Sequence, residues 1–170
     1  MTVDVFGADE QHDVGVALDQ LVALTRKVLL AEGVRGGAEV SLLFVDAPTI
    51  AELNERFRGV AGPTDVLSFP LADDDPGAGR APDAGGTGPG EPPEDPVPDL
   101  LGDVVVCPSV AVANAARDEA TVEDELALLV VHGTLHLLGW DHEDEAAATK
   151  MEARERDLLL EHFSSTWAGR

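Results

Sequence analysis

The stretch "HGTLHLLGWDH", residues 132–142, holds three of the five histidines in a chain of 170 residues. His132 and His136 are four apart, which on a helix places them one above the other on the same face. Gly139 is a natural helix stop, and the short Gly-Trp-Asp turn behind it brings His142 back toward the pair. Three imidazoles with room for a water are the donor set of a catalytic zinc site, whereas structural zinc usually closes with four protein ligands. A lone histidine on an apolar helix is usually a core residue with a hydrogen-bond partner. Two at this spacing, with a third after a glycine turn, are hard to explain that way. The pattern predicts one Zn2+ per chain, held by His132, His136 and His142. His12 and His162 lie outside it.

The residues around this cluster sharpen the chemistry. Zinc proteases with the same rhythm place a glutamate directly after the first histidine, where it takes a proton from water. Here that position is Gly133, which argues against peptide hydrolysis by that route. Zinc alone lowers the pKa of a water to about 7, and a phosphodiester can accept a proton on its own oxygen. Glycine also has a plainer explanation, a neighbouring backbone that crosses close by. Asp141 either orients a ligand histidine from behind or only caps the last helix. Glu125, about two turns before His132, either reaches the edge of the site or stands exposed in a first helical turn, where acids are favoured.

The elements that must position these residues are legible in outline. Residues 2–6 alternate and read as a short strand, and residues 13–32 carry apolar side chains at helical spacing. Residues 38–45 read as a buried strand. Asp46 and Pro48 open a helix through about Arg56, and residues 64–71 and 100–108 read as two further strands. Pro108 begins a short Ala-rich helix to about Asp118. Thr121 caps a helix that runs to Leu138, and a last helix covers about 143–162. The expected fold is α+β (α/β-like), a mixed sheet of about four strands with five helices. The metal site falls on a C-terminal helix and the turn after it.

Composition bounds the rest. A hydrophobic content of 44% favours one folded domain over residues 1–170. Residues 72–99 differ: they hold seven of the eleven prolines, six glycines and eight acids against one arginine. Such a stretch cannot bury enough apolar surface to offset its ordering entropy, so it reads as a disordered acidic insertion. The single cysteine, Cys107, excludes an intrachain disulfide and fits a reducing compartment. No signal peptide or membrane span is visible, so a cytoplasmic protein is expected. The net charge of −22 gives no broad basic footprint for nucleic acid.

"HGTLHLLGWDH" resembles the H-G-x-L-H-L-x-G-aromatic-D-H motif of the YbeY-type bacterial endoribonucleases and rRNA maturation factors. "TDVLSFP", at 64–70, and "LGDVVVCP", at 101–108, resemble two further segments of that family, in the right order. Setting the acidic insertion aside, the likeness spans about residues 38–160. It implies a single-strand-specific, zinc-dependent endoribonuclease that matures the 3′ end of small-subunit (16S) rRNA and serves ribosome quality control. It also implies that His132, His136 and His142 are the ligands, and that Arg58, six residues before Thr64, is a family arginine. Arg58 and His136 are then the residues expected to carry the reaction. Where the family often has a Lys-Asp pair, this chain has Val60 and Ala61. With the acidic charge, that departure points to help from ribosomal proteins or an Era-type GTPase in reaching rRNA on the small ribosomal subunit. Neither a membrane nor DNA is an expected partner.

Two other readings compete with a nuclease. One is a zinc peptidase-like hydrolase, against which Gly133 counts. The other is a non-enzymatic ribosome assembly factor in which zinc is a structural staple. For Arg58, the competing reading is a surface salt bridge, common on an acidic protein.

Overall fold

The computed structural model describes residues 2–71 and 99–163. Four strands form one sheet: β1 (Asp4–Asp9), β2 (Ala38–Phe44), β3 (Val66–Pro70) and β4 (Asp99–Val106). Their order is β1-β2-β4-β3, so β1 and β3 are the edges. β1 runs parallel to β2 and β2 parallel to β4, while β3 runs antiparallel to β4. Five helices accompany the sheet: α1 (Leu18–Ala31), α2 (Ala47–Arg58), α3 (Pro108–Arg117), α4 (Val122–Leu137) and α5 (Glu145–His162). The mixed four-stranded sheet with five helices is as expected. No described helix is long and apolar enough to cross a membrane.

Alternation along the central strands sorts side chains onto two faces. Val40, Leu42 and Phe44 of β2 join Val104 and Val106 of β4 in the larger core, against α1, α4 and α5. Val45, Val105 and Cys107 point the other way, into a smaller cluster closed by Ile50 of α2 and Leu67 of β3. The helix α4 lies at the centre of the larger core. Its Leu126, Leu129, Val130, Val131, Leu135 and Leu137 are all buried, and each such side chain contributes about 1.5–3 kcal/mol relative to exposure. Packing on nearly every side fixes the rotation of this helix, and with it the direction of its two histidines.

The boundaries differ from expectation where local side chains compete with the helix. α1 starts at Leu18 rather than 13 because buried Gln11 captures the preceding turn. The Gln11 side-chain oxygen accepts from the backbone N–H groups of Asp13 and Val14, both at 3.0 Å. β1 runs on to Asp9 because its parallel partner β2 supplies the ladder as far as Phe44. The last helix is capped by Asp144, whose carboxylate accepts from Ala147 N–H at 2.7 Å. Asp141 therefore does not cap it: the turn that returns His142 takes three more residues before a helix can start. The acidic insertion expected at 72–99 lies outside the described residues except for Asp99, which is the first residue of β4.

Candidate metal centre

Thr121 opens α4 as expected, its hydroxyl accepting from Asp124 N–H at 3.1 Å. Two bonds close the other end: Gly139 N–H donates to His136 O and Trp140 N–H to Leu135 O, both at 3.0 Å. That pair is the Schellman pattern, and it needs the left-handed conformation that Gly139 supplies at φ 97°. The chain reverses there, and His142 arrives beside the pair on α4. Ring centroids lie 4.5 Å apart for His132 and His136, 4.8 Å for His136 and His142, and 5.6 Å for His132 and His142. One ligand nitrogen from each lies within 4.8 Å of the others.

Two of the three imidazoles are held from behind. His132 Nδ1 meets the Glu155 carboxylate of α5 at 2.5 Å, and His136 Nδ1 meets the backbone carbonyl of Trp140 at 2.8 Å. With Nδ1 engaged, each ring presents Nε2 to the cluster, an arrangement that raises the ring's basicity as a ligand. Burial, then the neighbouring His132, holds the His136 pKa below its ordinary 6.5, so the ring stays neutral and able to bind metal. A further tie fixes the turn itself. Trp140 Nε1 donates to Glu32 at 3.1 Å, and the other oxygen of Glu32 accepts from Arg154 at 2.5 Å. The neighbours Arg154 and Glu155 thus steady two histidines by separate routes, one through Glu32 and Trp140, the other directly.

Glu155, not Asp141, is the carboxylate on a histidine. Asp141 is exposed and accepts from Glu143 N–H at 3.3 Å. A signal for Glu155 does exist in the sequence: it lies on the buried stripe of α5 with Met151, Leu158 and Leu159. An acid on an apolar stripe needs a buried partner. Glu125 carries the same signal and is neither exposed nor at the site. It is 5% exposed and accepts from Asn114 at 3.3 Å, and Asn114 also donates to Asp65 at 3.0 Å.

The cluster forms part of a cleft of about 640 Å³. All five residues of the edge strand β3 line it, as do Phe57 and Arg58 from the end of α2. Arg58 and the three histidines thus share one cavity. Arg56 does not line the cleft; its guanidinium stands 5.2 Å from the Phe57 ring centre. Among the described lining residues the one carboxylate is Asp65. Its oxygens are occupied, one by Val66 N–H at 2.8 Å and the other by Asn114.

Gly133 answers the question of the missing glutamate. A Cβ there would meet Val104 Cγ1 at 2.6 Å and Val66 Cγ2 at 3.0 Å. The close approach comes from side chains of the sheet rather than from a crossing backbone. It lets Ser68 of β3 donate to Gly133 O at 2.7 Å, tying α4 to the edge strand. A glutamate could enter only if Val104 and Val66, or α4 itself, gave way.

The family model for endoribonuclease YbeY matches residues 7–163. The chain belongs to the endoribonuclease YbeY family. The YbeY endoribonuclease of Mycolicibacterium vanbaalenii is 41% identical over 161 residues, covering 95% of this chain and 80% of the relative. That of Beutenbergia cavernae is 44% identical over 141 residues, covering 83% and 85%. The solution structure of a Thermotoga maritima protein matches with a TM-score of 0.58 and 27% identity, over 99% of this chain and 93% of that one. The YbeY match takes in β3, β4 and the whole histidine turn, so it covers every residue of the cleft described above.

Proposed function

We propose that this protein is a zinc-dependent endoribonuclease that cuts single-stranded RNA, acting in the cytoplasm on the 3′ end of small-subunit rRNA and in ribosome quality control. The observation that carries this reading is one cavity lined both by three converging imidazoles and by Arg58. The family's name supports the reaction class. Three nitrogen donors suit zinc and its neighbours, whereas magnesium and calcium take oxygen ligands. His132, His136 and His142 would hold the ion. When bound, it supplies Lewis-acid polarisation of a phosphate oxygen and acidifies a water.

The chain's own residues supply the rest. The Arg58 guanidinium matches two phosphate oxygens and stabilises the charge that develops on them. Glu155 and the Trp140 carbonyl keep two imidazoles aimed. The one carboxylate on the described wall, Asp65, already accepts a hydrogen bond on each oxygen, and position 133 has no side chain. A phosphate oxygen of the substrate is the acceptor at hand. Ribosomal proteins or an Era-type GTPase would bring this acidic chain to its rRNA.

A second reading has one observation behind it. The edge strand β3 lines the cleft, and edge strands pair with extended peptides, so a peptidase is the enzymatic competitor. Incubation of the metal-loaded protein with single-stranded RNA and with unstructured peptides, with and without chelator, decides between them. RNA cleavage abolished by chelator and absent in His136→Ala is the expected outcome. Peptide cleavage alone would replace the nuclease reading. Metal retained with neither activity would favour the assembly factor.

A further inference from the structure

Phe57 is an aromatic side chain without an evident structural duty. It sits in the last turn of α2 and is 57% exposed. The chain has only five phenylalanines, two tryptophans and no tyrosine. Two of those phenylalanines, Phe57 and Phe69, line the cleft that holds the three histidines and Arg58. Their rings meet edge to face, with centroids 5.2 Å apart and planes at 65°. Phe69 packs against the smaller core beneath, so it braces Phe57 from inside. Arg56 and Arg58 flank Phe57 in sequence, one over its ring and the other in the cleft. In a chain with thirty-three acids, the described cleft wall carries only Asp65.

A braced, exposed ring with one guanidinium over it and a second arginine next to it in the cleft has a specific chemical match. Single-stranded nucleic acid offers a flat apolar base beside every phosphate, and proteins hold it by aromatic stacking combined with cations. A duplex keeps its base faces stacked on each other and offers none. A cleft of about 640 Å³ has the size of pockets that take a small molecule of nucleotide dimensions. We propose that Phe57, backed by Phe69, is the platform on which one unpaired nucleobase stacks beside the phosphate held by Arg58. It is a specificity subsite: it admits single strands and excludes paired ones, without reading sequence. This rests on the ribonuclease reading above.

The test uses the metal-loaded full chain and three probes: a labelled single-stranded octaribonucleotide, its fully abasic counterpart with the same phosphates, and the octamer annealed to its complement. Dissociation constants and cleavage rates are measured for wild type, Phe57→Ala, Phe57→Leu and Phe57→Trp, with metal content and melting temperature as controls. Phe57→Ala should weaken binding of the intact single strand about tenfold, while leaving the abasic strand unaffected. Tryptophan should restore binding and leucine should not, because leucine keeps apolar bulk and lacks the ring face. Wild type should bind the duplex no better than the abasic strand. Leucine equal to wild type, or an equal loss on the abasic strand, would assign Phe57 to packing and overturn the platform. Binding that is lost in Phe57→Ala without any cleavage by wild type would keep the platform and remove the nuclease. Cleavage and binding identical in wild type and Phe57→Ala would do the reverse.

Discussion

The two ends of the cleft are built differently. At the metal end, His132 and His136 project from a helix buried on nearly every side, and each ring is held by a second group, Glu155 or the Trp140 carbonyl. At the other end, Phe57 and Arg58 stand exposed on the last turn of α2, and Arg58 has no ion pair among the described residues. A metal must be met by ligands already in position, since a displacement of a few tenths of an ångström is felt in affinity. A flexible strand can instead be met by a charged side chain, Arg58, that settles beside the braced Phe57 as it arrives. The difference gives rigidity to the end proposed to hold the ion and adjustable charge to the end proposed to meet RNA.

Removing the adjustable charge gives the largest expected effect. Arg58→Ala should lower RNA cleavage on the order of 100-fold or more, the loss of one charge-assisted contact in the transition state. Metal content and melting temperature should not change, because Arg58 touches neither the histidines nor the core. Lysine should rescue in part, lacking the planar fork. Arg56→Ala should cost less, since Arg56 lies over Phe57 outside the cleft. An Arg58→Ala protein that cleaves like wild type, or that loses its metal, would break the division between the two ends.

Glu155 probes the rigid end. Glu155→Gln keeps the shape and removes the charge behind His132. It should weaken metal affinity about 10- to 100-fold while leaving binding of RNA to the metal-free protein unchanged. Competition against a calibrated chelator measures the first and fluorescence anisotropy the second. Unchanged metal affinity would reduce Glu155 to a buried ion pair that only holds α5 to α4.

How much of this was readable beforehand follows the same division. The three histidines, Thr121 and Gly139 could be placed because their signals are local: a four-residue spacing, a cap, a stop. Arg58 came from a motif likeness, and nothing in its own neighbourhood marks it. Glu155 and Glu32 were not found, because the contacts that define them span 23 and 108 positions or more. Asp141 looked the better candidate only through nearness in sequence to His142. Gly133 had a correct general explanation, close approach, but the neighbours are Val66 and Val104 rather than a backbone. In each case the missing information was which elements pack together, which the sheet order β1-β2-β4-β3 decides. The buried acids Glu125 and Glu155 do lie on apolar stripes of α4 and α5, a pattern that could have directed attention to them.

The smallest effect expected concerns pH, and it too separates the ends. Burial holds the His136 pKa below 6.5 in the folded, metal-free protein. The unfolded chain therefore takes up a proton at His136 before the folded one does. As pH falls below about 6.5 the unfolded state binds more protons, so stability falls with it; above that pH the contribution is fully present. Denaturant unfolding of the metal-free protein across this range should show that slope, and His136→Asn should flatten it relative to wild type even if its stability is lower throughout. Arg58→Ala should leave the slope as it is, because a guanidinium stays charged over the whole range. Bound metal should steepen the loss, as protons and the ion compete for the same nitrogens. Equal slopes for wild type and His136→Asn would mean that the fold does not resist protonation of this ring. The metal end would then be rigid in geometry alone, with its selection for the neutral ligand coming only from the ion.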